Sequence, residues 1–118
     1  MNDFERMAEL LLPHIDKTPE YFEELYPERD LPEGARVVRI APSPTGYLHL
    51  GTLFMALINR ISADSTGGLF YTRIEDTDKK REIEGGIDDV INGLIRFGID
   101  IDEGFVTPNE QKGVYGPY

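Results

Sequence analysis

Ala41-Pro42-Ser43-Pro44-Thr45-Gly46-Tyr47-Leu48-His49-Leu50-Gly51-Thr52 is the stretch on which the reading of the chain turns. It joins a short apolar strand, Arg36 to Ile40, to an amphipathic segment that begins near Leu50. Two prolines restrict the backbone before the turn, and two glycines let it bend and let another molecule come close. His49 stands where a helix should begin, beside N–H groups that lack an intrahelical acceptor and at the positive end of the helix dipole. Such a helix start is a place to hold a nucleotide phosphate. A proline-rich loop with a surface histidine would fit a lone Gly-x-x-His. It fits a strand, a PSPTG turn, an HLG step and a helix in series poorly.

Outward from this turn, residues 35–104 alternate between strand and helix patterns. The first strand is predicted over Val37 to Ala41. The first helix runs from about Leu50 to Ser65, burying Leu50, Leu53, Phe54, Leu57, Ile58 and Ile61 along one stripe. Gly67-Gly68 ends it, and a second strand follows from Leu69 to Ile74. The loop Glu75 to Arg81 leads to a second helix, in which Ile87, Val90, Ile91, Leu94 and Ile95 repeat the helical spacing and Gly98 closes the element. A strand, crossover helix and second strand form a right-handed parallel unit, and ligands sit beyond the carboxyl ends of such strands. Both unusual loops, PSPTG-HLG and IEDTD, fall at that edge. Two strands and two helices make a thin sheet, and Gly113 to Tyr118 is turn-rich without a closing element. The sequence therefore reads as α/β and cut short, with more sheet expected beyond Tyr118.

Residues 1–34 read as a separate helical extension and connector, and residues 35–118 as the truncated α/β part. Phe4, Met7, Ala8, Leu11 and Leu12 lie at helical spacing behind Asn2, a possible cap, with Glu5 three residues on. Thr18-Pro19-Glu20 starts a second helix carrying Tyr21, Phe22 and Leu25, which Pro27 stops. Glu28 to Gly34 is the connector.

Composition narrows the partners. With 118 residues the chain is one small domain or part of a larger one, and 40% apolar content supports a modest core. There are no cysteines, which excludes disulfides and thiolate metal sites. No apolar run approaches the roughly 20 residues needed to cross a membrane, and the acidic N-terminus is no secretory signal. Cytoplasm is the expected compartment. The formal net charge of −10 argues against a nucleic-acid surface within these residues. The longest basic run, Lys79-Lys80-Arg81, is flanked by acids.

The two loops carry the chemistry. Arg39 lies in an otherwise apolar strand, two residues before the turn. It suits either a ligand carboxylate, gripped by two parallel hydrogen bonds, or a structural pair with Glu75 or Asp76. Ser43 adds a hydroxyl, His49 an imidazole N–H for a phosphate oxygen, and Gly51 leaves room for a nucleotide. In Arg73-Ile74-Glu75-Asp76-Thr77-Asp78, Glu75 can neutralise a ligand ammonium, and Asp76 or Asp78 can cap the following helix. The loop lacks the acid and glycine spacing of a calcium site, so no side-chain metal site is expected. His14, beside a proline, receives no role.

RIAPSPTGYLHLGT, GGLFYTRIEDTDKKR, GLIRFGIDIDEG and a terminal GPY, in this order and spacing, resemble the N-terminal part of the glutamyl-tRNA synthetases. These are class I aminoacyl-tRNA synthetases, and the likeness runs from about Arg36 to Tyr118. His49-Leu50-Gly51-Thr52 corresponds to the family's His-Ile-Gly-His signature, with Thr52 in place of its last histidine. The resemblance implies the first half of a Rossmann-like parallel sheet. It implies that Ala41, Pro42, His49, Gly51 and Thr52 line an ATP site, with His49 catalytic. It also implies that Arg39, Ser43 and Glu75 hold glutamate. In glutaminyl relatives the residue matching Ser43 tends to be acidic, so Ser43 favours glutamate.

The implied reaction activates L-glutamate with ATP, Mg²⁺ arriving with the nucleotide and no protein-bound zinc, and then transfers the glutamyl group to tRNA(Glu). A monomeric whole protein is expected, with tRNA held mainly by regions outside these residues. The lysine-rich KMSKS loop of the family is absent, so the 118 residues alone are expected to be inactive. Two other readings share these loops: the shortened enzyme that attaches glutamate to a modified base of tRNA(Asp), and a non-catalytic binding module derived from a synthetase. A general nucleotide-binding domain would leave the IEDTD loop unexplained.

Overall fold

The computed structural model describes residues 1–77 and 84–118. Helix α1 (Asp3–Leu11) begins as the sequence requires. The Asn2 side chain accepts the Glu5 N–H at 2.9 Å while Glu5 accepts the Asn2 N–H at 2.6 Å, a reciprocal capping box. Helix α2 (Pro19–Leu25) starts after Thr18, with Pro19 where a missing N–H breaks no helical bond, though the Thr18 side chain caps nothing. Neither helix buries a residue.

Strands β1 (Val37–Ile40) and β2 (Leu69–Thr72) pair in parallel, with Val37 opposite Leu69 and Ile40 opposite Thr72. Helix α3 (Leu50–Asp64) connects them. Both strands are shorter than the sequence predicts, yet their contact runs on. The Arg73 N–H donates to the Ile40 carbonyl at 3.1 Å, and the Glu75 N–H to the Pro42 carbonyl at 3.0 Å. Pro42 has no N–H to return, so the pairing continues from one side only.

Helix α3 corrects the expected burial. Ala56 and Ala63 are its buried residues. Of the predicted stripe only Leu53 packs at the margin of the core, while Leu50, Phe54, Leu57, Ile58 and Ile61 are exposed. The helix is apolar on more than one face, and periodicity alone does not say which face meets the sheet. Small residues let the helix come close to β1 and β2. Helix α4 (Gly86–Arg96) follows its predicted face more closely, burying Val90, Ile91 and Leu94 and leaving Ile95 exposed. Its N-cap is Gly85, in the left-handed region at φ 77°, with Asp88 and Asp89 in the first turn where the dipole favours acids. Asp76 therefore does not cap this helix. Asp78 and the run Lys79-Lys80-Arg81 lie outside the described residues.

Two strands were not anticipated. After α4 the chain returns beside β2: the Asp102 N–H donates to the Phe70 carbonyl at 2.9 Å, and the Thr72 N–H to the Glu103 carbonyl at 3.1 Å. Tyr71 and Glu103 form a parallel bridge. The chain then enters an antiparallel hairpin, β3 (Gly104–Thr107) and β4 (Glu110–Lys112). Strand β4 is exposed throughout, so no alternation of apolar and polar residues marks it.

The core gathers Ile40, Ala56, Ala63, Phe70, Val90, Leu94 and Ile99. Arg60 of α3 ties it together at the rim, with Nη1 2.5 Å from Asp102 Oδ2 and Nη2 2.6 Å from Asp64 Oδ1. Asp102 Oδ2 also accepts the Phe70 N–H at 2.8 Å. Burial opposes the Arg60 cation, but hydrogen bonds and charge from Asp102 and Asp64 outweigh it and hold the guanidinium pKa above its ordinary value.

Gly104 is the pivot between β2 and the hairpin. Its φ is 84°, and a Cβ there would collide with the Thr72 carbonyl. Gly104→Ala is expected to cost about 1–3 kcal/mol from the backbone conformation alone, with the collision adding to it. A urea titration of the whole protein checks this; an unchanged midpoint would show that the hairpin can swing away freely.

Candidate active site

The two loops meet at the carboxyl ends of β1 and β2. Six of the eight residues singled out from sequence, Arg39, Ala41, Pro42, Ser43, Gly51 and Thr52, line one open cavity of about 460 Å³ with Ile40, Met55 and Asn59. His49 lines an adjoining cavity of about 120 Å³ that shares Pro42, Ser43 and Thr52 with the first. Glu75 lines neither, but its carboxylate lies 3.8 Å from the Arg39 guanidinium.

His49 is the N-cap of α3, with extended φ and ψ of −78° and 150°. Its imidazole is exposed and makes no capping bond. The first turn leaves the N–H groups of Leu50, Gly51 and Thr52 without an intrahelical acceptor. Dipole, amides and imidazole thus converge on one place that suits an anion.

The turn is held from below. Pro42 and Pro44 are buried, and Gly86 of α4 lies so close to Pro44 that an added Cβ would meet its carbonyl oxygen at 2.6 Å. Gly93, about two turns further along the same face, leaves similar room for Leu48. Asn59 fixes the other side, donating from Nδ2 to the Arg39 carbonyl at 2.9 Å. Sequence reasoning passed over Gly86, Gly93 and Asn59. The two glycines sit seven apart on one helix face, which was the available signal.

Two arginines surround Glu75 at different distances. At 3.8 Å, without a hydrogen bond, Arg39 is only loosely paired with Glu75. The close partner of Glu75 is Arg73, with Nη2 at 2.6 Å and Nε at 2.8 Å. Arg39 keeps its fork of donors available beside the cavity. Among the described residues no group of three or more His, Cys, Asp or Glu side chains is placed to hold a metal ion.

A helix start that suits an anion thus stands beside a guanidinium at the end of β1 and a carboxylate on the neighbouring loop. Residues 36–118 match the profile of tRNA synthetases class I (E and Q), catalytic domain. The chain belongs to this synthetase family. It is 57% identical over 115 residues to the glutamate–tRNA ligase of Clostridium perfringens, an alignment covering 98% of this chain and 21% of that one. That alignment takes in the segment before Arg36, which the profile leaves out. Among solved structures, the glutamate-tRNA synthetase from Elizabethkingia anophelis superposes with a TM-score of 0.62 at 40% identity, over 70% of this chain and 16% of that one. A glutamate tRNA ligase from Elizabethkingia meningosepticum, in complex with its amino acid, superposes with a TM-score of 0.61 at 41% identity and the same coverage. The chain spans about a fifth of the length of the curated synthetases it matches.

Gly51 separates folding from binding. Nothing lies within 4 Å of a Cβ built there, and its φ is ordinary. Gly51→Ala is expected to leave the melting temperature of the whole protein unchanged or to raise it, because alanine favours helix by up to about 1 kcal/mol. A clear fall in a thermal melt would mean that the glycine serves the fold.

Proposed function

We propose that the whole protein is a glutamate–tRNA ligase and that this chain carries the first part of its activation site. The observation that carries the reading is the junction of two features. One is a guanidinium and a carboxylate 3.8 Å apart; the other is the open start of α3, across the wall formed by Pro42, Ser43 and Thr52.

In this reading Arg39 grips the side-chain carboxylate of glutamate with two parallel hydrogen bonds. Ser43 adds its hydroxyl, and Glu75 takes the ammonium. Ala41, Pro42, Gly51 and Thr52 surround the nucleotide. ATP enters as its Mg²⁺ complex, the ion keeping most of its waters. The α-carboxylate of glutamate then attacks the α-phosphorus, the bond to the β-phosphate oxygen breaks, and pyrophosphate leaves. No protein nucleophile takes part. His49 donates an N–H to the phosphoryl oxygens as their charge develops, and the amides of the first turn do the same. These donors are fixed before the substrate arrives, so little reorganisation is needed at the moment of reaction. The terminal ribose hydroxyl of tRNA(Glu) next attacks the carbonyl of the adenylate, and AMP departs. With a formal charge of −10 on these residues, most tRNA contacts belong to the remainder of the protein. The whole protein works as a monomer in the cytoplasm.

Two measurements test the reading. In the whole protein, His49→Ala is expected to slow glutamate-dependent pyrophosphate exchange, assayed with tRNA present, by about 10²–10³-fold, with the melting temperature unchanged. Losses of stability and activity in proportion would make the imidazole structural. The 118-residue chain alone should give no exchange above background, and clear exchange from it would overturn the division of the site between this chain and the rest.

A further inference from the structure

Away from the candidate site, a dense polar cluster ties the connector before Arg36 to the C-terminal turn. The Arg29 guanidinium meets Glu103 with Nε 2.8 Å from Oε2 and Nη2 3.4 Å from Oε1. Glu103 is 6% exposed. The Tyr118 hydroxyl donates to the same carboxylate at 3.1 Å and accepts the Tyr115 N–H at 3.0 Å. Arg29 also lies 3.8 Å over the Tyr115 ring, whose hydroxyl donates to the Pro27 carbonyl. Gly113 makes room for this, since a Cβ there would run into the Tyr118 hydroxyl.

The cluster reaches towards the candidate site. Glu103 bridges to Tyr71 of β2, and the Tyr118 ring packs edge-on against Tyr71. Tyr118, Pro117 and Phe105 line a cavity of about 580 Å³ together with Arg73, Ile74 and Asp76. Those residues flank Glu75, and Arg73 is its closest ionic partner. A buried carboxylate needs a cation beside it, and Arg29 serves Glu103 with a plane that also stacks on an aromatic ring.

We infer that Arg29 is a positioning residue: through the buried Glu103 carboxylate it fixes Tyr118 as the outer wall beside the Arg73–Asp76 loop, and so holds the Glu75 end of the site in place. The inference rests on the proposed function only for what Glu75 binds. It gives the segment before Arg36, outside the family profile, a part in shaping the site.

The test uses the whole protein with Arg29→Ala, Arg29→Lys and Tyr118→Phe, the last keeping the ring and removing only the hydroxyl. Two quantities are read: amide hydrogen exchange at Tyr115 against that along 50–64, and KM for glutamate against KM for ATP. Arg29→Ala and Tyr118→Phe are expected to speed exchange at Tyr115 and to raise the glutamate KM about tenfold, with the ATP KM unchanged. Arg29→Lys should fall between them and the parent. If Arg29→Ala does not fold, Tyr118→Phe decides alone. Faster exchange with an unmoved glutamate KM, or equal rises in both KM values, would overturn the inference. A parent protein without glutamate-dependent activity would sink the proposed function and the KM half with it, while exchange at Tyr115 would still decide whether Arg29 holds Tyr118.

Discussion

Everything at the site depends on two strands staying paired after their regular ladder has ended. The bonds from the Arg73 and Glu75 amides to the Ile40 and Pro42 carbonyls carry the contact into the loops. Without them the chain would be free to splay at Ala41. With them, Arg39 and Glu75 leave neighbouring strands on the same side and stand within an ion-pair distance. Pro42 makes this contact one-directional: its carbonyl accepts and its nitrogen has nothing to give. The sheet therefore ends there, and the chain is released into the turn that sets His49 at the start of α3.

That turn is a loop supported like a core element. Its prolines are buried, and α4 presents two glycines to it where larger residues would push it outward. Rigid support from below and an open face above are what a binding loop needs, because ordering a loose one on binding would oppose the ligand. The charge arrangement follows the same logic. Arg73, on the same strand extension, is the closer partner of Glu75, and Arg39 stands farther off at 3.8 Å.

The parts legible from sequence were those with a local cause. Proline and glycine placed the turn, Asn2 with Glu5 placed the first cap, and the aliphatic spacing from Val90 to Leu94 placed the inner face of α4. The parts that escaped depend on distant partners. Nothing local says that Ala56 and Ala63, rather than the leucines and isoleucines around them, face the sheet. Strand β4 is polar and exposed, and the return of Glu103 to β2 depends on a glycine whose role appears only beside the Thr72 carbonyl. Of the candidate site, the gathering of its residues at one strand edge was legible and their supports were not: Asn59, Gly86 and Gly93 act through backbone and packing that a linear motif does not record.

The exposed side of α3 shows how the helix start is aimed. Leu50, Phe54, Leu57 and Ile61 form an exposed apolar stripe, while the sheet side is met through two buried alanines and a partly buried Leu53, which together bury a modest area. Apolar burial alone therefore anchors this helix weakly, and directional bonds set its angle. Asn59 ties it to the Arg39 carbonyl, and Arg60 ties it to Asp102, which in turn holds the Phe70 amide of β2. An anion bound at the first turn feels a dipole whose direction is the helix axis, and that field falls off within a turn. The same asparagine steadies the backbone that presents the guanidinium. Helix and cation are thus aligned by one side chain, which links the start of α3 to the strand end that carries Arg39.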